Sequence, residues 1–316
     1  MKPDPAHSET DKAIERLEKK IFDSYNEATA DMIRKQEQFL RAYEQELEEM
    51  KDCLERKTIS KGQFDAWKKE QAFNKQWYDQ MINSIAYDAL EADKRAAAII
   101  NGELPKTYAI NYNYGTYQIE HGTTIKTAFT LHDENTVALL LKEDPRLFQH
   151  AAVNELKDLA WNRQKISSAL LQGVLQGESI DNIASRLMSV FEMDYNSAVR
   201  TARTCMTGAQ NAGRLDSYER AQRMGIMGKK RWVCTMDDRT RETHLQLDGE
   251  AVDINESFSN GLEYPGDEST GDPAEYMNCR CTMIYEFDGT NYDNADRDDR
   301  LAEMDFDSWL DEHYGF

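Results

Sequence analysis

Apolar residues recur at steps of three and four through the first sixty residues, which contain no glycine and no proline beyond Pro5. This spacing predicts a long charged helix whose narrow apolar stripe, interrupted at Gln36, is a seam against another helix of the same chain or a neighbour. A break at Lys61-Gly62 precedes a second helical stripe that includes Trp77. The apolar positions of the first stripe are Ile14, Leu17, Ile21, Tyr25, Ala28, Met32, Phe39, Tyr43, Leu47, Met50 and Leu54. We therefore predict a charged N-terminal helical hairpin or bundle over residues 1–100.

The next segment, 104–120, has a mixed pattern. Its many Tyr, Ile and Thr residues are typical of a strand. However, Pro105 suits the first turn of a helix and apolar residues follow at near-helical spacing, so helix is the favoured interpretation. A short strand is predicted at Phe129–Leu131, and then a helix over Asn135–Lys142 that Asp133 caps.

From Val153 onward the pattern is firmly helical. One amphipathic face runs from Val153 to Gly177, where glycine can end the helix, and Ile180–Phe191 forms a second helix. A third, long helix is expected to begin after Asp194 as its cap and to run to about Met224. These elements predict a helical domain over residues 101–228.

After Gly228 the pattern changes again. Arg231–Thr235 and Cys281–Tyr285 alternate like strands, and a long stretch rich in Gly, Asp, Asn and Ser lies between them. Such a stretch needs an external constraint to be ordered, for which a metal ion is one candidate. We predict a small α+β domain with an acidic C-terminal tail over residues 229–316, and an α+β fold that is predominantly α for the whole chain.

The composition excludes several classes of protein. The chain has 316 residues, of which 40% are hydrophobic and 30% charged. No apolar run exceeds the five residues of Ala96–Ile100, far fewer than the roughly 20 residues of a membrane span. The N-terminus lacks the apolar core of a signal peptide, and five scattered cysteines do not form a secreted disulfide framework. We expect a soluble protein, either intracellular or part of a particle.

The net charge of −20 is concentrated at the C-terminal end, where Cys234–Phe316 holds five arginines and no lysine against 23 acidic residues. The sign reverses between Arg200 and Arg231. In one interpretation a basic helix docks against the acidic C-terminal domain of the same chain. In the other, this stretch contacts DNA or an acidic partner. Its basic residues are Arg200, Arg203, Arg214, Arg220, Arg223, Lys229, Lys230 and Arg231.

Side chains that bind metals cluster in the C-terminal region: Cys234, His244, Cys279 and Cys281. Zinc takes four such groups in a tetrahedron, and a structural ion would order the irregular stretch. Asp238 is an alternative oxygen ligand. The spacing Cys-x-Cys is tighter than the usual Cys-x2-Cys, so buried free thiols beside a hydrogen-bonded histidine are the competing interpretation.

Signals for catalysis are weak. His244 could activate one of the thiols, or Glu242 could serve as a general base, but no Gly-rich oxyanion sequence accompanies them. Walker, dinucleotide-binding and metalloprotease signatures do not occur. Arg239 and Arg241 have carboxylates on both sides, and we expect ion pairs that pin a polar turn leading into a short helix.

Several spaced motifs resemble the tailed-phage head morphogenesis family, the Mu F-like minor head (minor capsid) proteins. Upstream segments at 172–180, 200–204 and 208–211 are similar to versions from phages of Gram-positive hosts. Two positions depart from the family pattern: many relatives carry an acidic residue at Cys205 and an apolar one at Cys234, which leaves an aspartate or water as alternative fourth ligands. The motif residues downstream are Trp232, Asp237, Arg239, Arg241, His244, Leu247, Asp248, Gly249, Phe258, the run Tyr264-Pro265-Gly266-Asp267, and the run Asn278-Cys279-Arg280-Cys281.

The resemblance implies a low-copy component of the phage head that associates with the portal protein during procapsid assembly, DNA packaging or genome delivery. Major capsid or scaffolding proteins are further partners to expect, and the site would be the virion head near the portal vertex, after assembly in the host cytoplasm. Some relatives carry toxin domains after this module, whereas about thirty residues follow Phe287 here, so we expect no enzyme. A DNA-binding packaging accessory and a metal- or thiol-dependent enzyme are the alternatives.

Overall fold

The computed structural model describes residues 4–72, 75–269, 272–289 and 296–314, without the side chains of residues 38–39, 42, 72, 75–78 and 314. The predicted positions Phe39 and Trp77 therefore have no described side chain. The structure is predominantly α with one small antiparallel sheet, which confirms the predicted fold class. Within the described residues, no helix is long and apolar enough to cross a membrane.

Long helices fill the first two-thirds of the chain, and short elements follow. The helices are α1 (Pro5–Glu55), α2 (Lys61–Ala72), α3 (Lys75–Thr123), α4 (Glu134–Glu143), α5 (Glu155–Gln176) and α6 (Ile180–Arg223). The remaining elements are β1 (Gly228–Val233), α7 (Glu242–Leu247), β2 (Ala251–Asp253), α8 (Pro273–Tyr276), β3 (Thr282–Phe287), a 3-10 helix (Asp299–Ala302) and α9 (Phe306–Tyr314).

The chain divides into two compact units, each assembled from separate stretches of sequence. The helical unit comprises Lys19–Ala98 and Ala152–Val199. The sheet unit comprises Met1–Glu18, Ile99–Ala151 and Arg200–Phe316. Because α1, α3 and α6 each contribute residues to both units, unit boundaries fall inside continuous helices.

In the helical unit, the apolar stripe of α1 is a seam within the chain. Ile21 and Met32 on this stripe are fully buried. Tyr25 donates a hydrogen bond of 2.5 Å to Asp93 of α3. The interruption at Gln36 is also buried, and its side chain donates to the carbonyl of Ile180 at 3.0 Å. The side-chain N–H of this polar residue in the seam is thus bound by the first residue of α6.

Asp93 is a half-buried carboxylate in this unit, and it predicts a specific dependence of stability on pH. Burial raises the pKa of Asp93 to about 6, although hydrogen bonds from Tyr25 and Asn162 oppose the shift. A carboxyl whose folded pKa is raised is stabilised as the pH falls, since the folded state binds the proton more tightly than the unfolded one. We therefore expect the wild type to gain about 1 kcal/mol in unfolding free energy relative to Asp93→Asn between pH 7.5 and pH 5.

Urea titrations followed by circular dichroism at the two pH values measure this difference. Asp88→Asn is the matched control, because Asp88 lies nearby on α3 in a partly exposed ion pair with Lys35 at 2.6 Å. A difference between wild type and Asp93→Asn that stays constant with pH would contradict the assignment.

Two expectations for the middle of the chain are wrong. The helices expected at 180–191 and after Asp194 are one continuous helix, because Asp194 forms an ion pair with Lys165 of α5 instead of capping a new helix. No strand forms at Phe129–Leu131 among the described residues; Phe129 instead packs against a hydrophobic cluster. The predicted cap at Asp133 is confirmed, since its side chain accepts from the backbone N–H of Thr136 at 2.7 Å.

The sheet unit is built on a close contact between α3 and α6. The segment 104–120 is helical as favoured, with Tyr108 and Tyr112 buried. A Cβ atom at Gly213 would lie 2.4 Å from the carbonyl oxygen of Tyr108, so only glycine allows this approach of α6 to α3.

The sheet has the order β2-β1-β3, with both pairs antiparallel. Trp232 pairs with Met283, and Val233 pairs with Thr282. The predicted strands at 231–235 and 281–285 are therefore present with shifted ends, whereas β2 was not predicted. Three residues are too few for alternation to be visible in a sequence.

Both ends of the described chain join one hydrophobic cluster of the sheet unit. Ala6 at the start of α1 packs with Leu301, Phe306 and Trp309. The indole N–H of Trp309 donates to the buried carboxylate of Glu120 on α3 at 2.7 Å. The acidic C-terminal tail thus includes a docked helix, α9.

Candidate metal centre and its supporting helix

Four predicted ligands converge where the sheet ends. Cys234 directly follows β1, and Cys279 and Cys281 directly precede β3. His244 lies on α7, which the chain forms between β1 and β2. All four residues are buried. The antiparallel pairing of β1 with β3 is what brings residues 47 positions apart in the sequence into contact.

Three of these four side chains lie close enough together to bind one metal ion. His244, Cys279 and Cys281 offer ligand atoms that all lie within 4.8 Å of one another. The Nδ1 atom of His244 is 3.6 Å from Cys279 Sγ and 3.5 Å from Cys281 Sγ. Cys234 Sγ is 3.6 Å from Cys281 Sγ. The first three residues can hold a metal ion, and Cys234 lies beside them.

Two neighbours hold the imidazole of His244 in place. Trp232 packs edge-on against it, with ring centroids 5.3 Å apart and an interplanar angle of 79°. On the opposite nitrogen, Nε2 lies 3.2 Å from a carboxylate oxygen of Glu275, at an angle outside hydrogen-bond geometry. Nδ1 therefore faces the thiols while Nε2 faces a carboxylate, an arrangement that outer-shell carboxylates give to metal-binding histidines.

Of the three thiols in the cluster, Cys281 is the one whose surroundings favour the negatively charged thiolate. A hydrogen bond from Cys279, and one from His244, hold the pKa of Cys281 well below its usual range. The same hydrogen bond to Cys281, together with burial, raises the pKa of Cys279. Burial, with the neighbouring Cys281, also raises the pKa of Cys234 to about 12. A thiolate at the centre of the cluster is what a cation would be attracted to first.

The remaining motif residues fix the loop that carries the cluster. Asp237 receives two hydrogen bonds from Arg280, which lower the pKa of its carboxyl. Arg241 donates to the carbonyl of Met277. Asp248 accepts the backbone N–H of Cys234 at 2.9 Å. Gly249 adopts a φ of 83°, which favours glycine, and its N–H donates to Trp232 at 2.9 Å. Arg239 is exposed.

One set of residues in this site was missed by reasoning from the sequence: a buried polar stripe on α6. It contacts the backbone of the segment 278–283. Thr204 accepts the N–H of Asn278 at 2.8 Å, Thr207 donates to the carbonyl of Cys279 at 2.7 Å, and Asn211 donates to that of Cys281 at 3.2 Å. Polar residues at helical spacing within the motifs 200–204 and 208–211 were the available signal.

Arg214 ends this stripe and is fully buried. Its guanidinium donates to both carboxylate oxygens of Asp4, at 2.7 and 2.9 Å, and to the carbonyl of Met283 at 2.8 Å. Asn111 of α3 accepts a further bond at 3.0 Å. One cation therefore joins the start of α1, α3, α6 and β3.

The basic residues singled out between 200 and 231 do not form one exposed surface. Arg214 and Lys230 are buried, and burial lowers the pKa of Lys230 to about 8. Arg200 is exposed. The others contact partners within the chain: Arg203 with Glu18, Arg220 with the ring of Phe129, Arg223 with Asp216 and Glu219, Lys229 with Asp253, and Arg231 with Glu286.

The chain is predominantly α, and its cysteine cluster lies at the end of one small sheet. Sequence comparison identifies the class of protein to which it is similar. Residues 164–284 match the family of Phage Mu protein F like proteins. This match confirms the resemblance to Mu F-like proteins seen in the motifs of the chain.

Three relatives extend the comparison. The chain is 29% identical over 208 residues to the minor head protein GP7 of Bacillus phage SPP1, covering 62% of this chain and 64% of that protein. It is 35% identical over 151 residues to the NAD(+)--arginine ADP-ribosyltransferase EFV of Enterococcus faecalis, covering 46% of this chain and 31% of that protein. It is 24% identical over 159 residues to the uncharacterized protein YqbB of Bacillus subtilis, covering 44% of this chain and 49% of that protein. The chain thus spans less than two-thirds of each relative, and no solved structure matches it.

Proposed function

We propose that the protein is a structural, low-copy minor head protein of a tailed phage, which acts in head morphogenesis by binding the portal protein. The observation that carries this proposal is the Mu F-like domain together with the relationship to a minor head protein over 208 residues. The virion head is the corresponding location. Major capsid or scaffolding proteins are secondary partners of the same assembly.

A non-enzymatic role agrees with how the cluster is built. Its thiols and histidine are buried and face one another, whereas a nucleophile must reach a substrate. Less than a third of the ADP-ribosyltransferase aligns with this chain, so the activity in its name is not carried over. A DNA-binding accessory role has little support, because Arg214 and Lys230 are buried.

The portal contact is assigned to the helical block at 150–225. The alternative was the apolar stripe of α1, but Ile21 and Met32 of that stripe are already buried within the chain. On α5, by contrast, Leu156 is 86% exposed and Trp161 is 57% exposed. Tryptophan side chains such as that of Trp161 are among the residues that commonly dominate binding energy at protein interfaces.

Co-expression with the portal protein of the same phage, followed by size-exclusion chromatography with mass detection, tests the contact. We expect co-elution at a fixed stoichiometry, and at least about tenfold weaker binding for the double variant Leu156→Ser/Trp161→Ala. Tyr87→Ser is the matched control, because Tyr87 is equally exposed but lies on α3. Separate elution of the wild-type chain would contradict the portal contact, and equal binding by the double variant would contradict only its location.

We further propose that the cluster binds a structural zinc ion. With zinc–sulfur bonds of about 2.3 Å and zinc–nitrogen bonds of about 2.0 Å, tetrahedral geometry places sulfur and nitrogen ligands about 3.6 Å apart. The distances from His244 Nδ1 to Cys279 and Cys281, 3.6 and 3.5 Å, match this separation. Zinc would join α7 to the start of β3 and order the irregular stretch between them.

A further inference from the structure

We infer that Cys234 is the fourth ligand of the proposed zinc, which closes the site as three thiolates and one imidazole. This inference rests on the proposed zinc ion and identifies the ligand that three convergent side chains leave open. A closed site of four protein ligands is structural, whereas a site of three ligands keeps a position for water or substrate. The identity of the fourth ligand therefore decides what the centre can do.

Distance is the first argument. Tetrahedral zinc places two sulfur ligands about 3.8 Å apart, given zinc–sulfur bonds of about 2.3 Å. Cys234 Sγ and Cys281 Sγ are 3.6 Å apart. Three of the six edges of a Cys3His tetrahedron are therefore present at near-final length without the metal: this one and the two from His244.

The backbone is the second argument. Val233 and Thr282 are the last residue pair between β1 and β3. Continuing the antiparallel register by one step places Cys234 opposite Cys281. Asp248 holds the N–H of Cys234 at 2.9 Å, and Thr235 donates to the carbonyl of Arg280 at 2.6 Å, so both sides of this step are anchored.

The competing protein ligands are engaged elsewhere. Asp237 forms two hydrogen bonds with Arg280, and Asp248 accepts the N–H of Cys234. Asp238 is exposed. Glu275 lies against Nε2 of His244, the nitrogen that faces away from the thiols. Among these carboxylates, none lies where the fourth ligand must lie.

Water is the remaining competitor. A cavity of about 400 Å³ reaches Cys234 and is also lined by His7 and Thr235. Cys234 Sγ lies outside the group of atoms within 4.8 Å of one another, so ligation requires this thiol to move toward His244 and Cys279. If it did not move, a water molecule from the cavity would complete the coordination and the site would be open.

Cobalt(II) substitution in the reduced full-length protein distinguishes these cases. Intense visible d–d bands report four-coordination, and the near-ultraviolet sulfur-to-cobalt band grows with the number of thiolates. We expect three thiolates in the wild type and loss of about one third of this band in Cys234→Ser. Cys53→Ser is the matched control, because Cys53 is also a free cysteine but lies on α1 within the helical unit.

The outcomes separate the two proposals. A Cys234→Ser spectrum identical to that of the wild type would overturn the role of Cys234 and leave the zinc site standing. Failure of the wild type to bind cobalt or zinc would overturn both. X-ray absorption spectroscopy of the wild-type zinc protein needs no variant: three sulfur neighbours support the inference, and two sulfurs with two lighter atoms contradict it.

Discussion

Replacing Asp4 with alanine is expected to destabilise the sheet unit by about 3 to 5 kcal/mol, because it leaves the buried charge of Arg214 without its partner. Arg214 is fully buried, and both carboxylate oxygens of Asp4 accept its hydrogen bonds. Asp4 also accepts the N–H of His7 at 2.9 Å, so the substitution removes a helix cap as well. Urea-induced unfolding of the wild type and the variant measures the loss.

Two controls isolate the ion pair. Glu9→Ala removes a solvent-exposed pair with Arg16 on the same helix, at 3.0 Å, and should cost at most about 1 kcal/mol. In an Arg214→Met background, Asp4→Ala should cost much less than in the wild type, since no buried charge is left unpaired. An equal cost in both backgrounds would show that Asp4 acts only as a cap.

The same pair has a defined pH dependence. Burial alone would raise the pKa of Asp4, but the charge and hydrogen bonds of Arg214 outweigh it and hold the pKa below its usual range. A carboxylate with a lowered folded pKa contributes stability at neutral pH that is lost as the pH falls through that pKa. The difference between wild type and Asp4→Ala should therefore be constant near pH 7 and shrink below about pH 4.

Removal of zinc is the second change with a large expected effect. Binding of a ligand only to the folded state stabilises it by about 4 kcal/mol at a free concentration of a thousand times Kd. We expect a chelator to lower the melting temperature of the protein and added zinc to restore it. Calorimetry at several free zinc concentrations measures this dependence, and elemental analysis of freshly purified protein checks for the bound ion.

His244→Ala is the matched variant for this experiment. It lacks a ligand that contacts two of the thiols, so its melting temperature should no longer respond to zinc. Glu275→Gln should retain the response with about 10 to 100-fold weaker metal affinity, because Glu275 orients the imidazole without ligating. A wild-type melting temperature indifferent to both chelator and zinc would exclude a structural metal.

Local patterns were enough to predict most of the helices and two of the three strands. Period and capping signals are local, so Asp133 as a cap and Gly177 as a helix end, with a φ of 67°, were readable from neighbours in the sequence. The continuous helix through Asp194 was not, because its carboxylate forms an ion pair with Lys165 of another helix. A residue that can cap a helix does so only when no tertiary partner competes for its side chain.

The candidate site shows the same division. Cysteine and histidine spacing identified the four candidate ligands, but the buried polar stripe of α6 was missed. Thr204, Thr207 and Asn211 are buried because they satisfy the backbone before β3, some seventy residues later. Likewise, Arg214 was expected to meet the acidic C-terminal domain, DNA or an acidic partner, whereas its carboxylate partner is Asp4, close to the start of α1. Sequence alone does not reveal which distant segment a polar side chain will meet.

The cluster that joins Ala6 to Leu301, Phe306 and Trp309 has a consequence for synthesis. All segments of the helical unit are present once residue 199 has left the ribosome. The sheet unit, in contrast, lacks part of its core until Trp309 has emerged, about three hundred residues after the start of α1. The start of α1 must therefore wait for this distant segment before it meets its final neighbours, and contacts so distant in sequence form slowly.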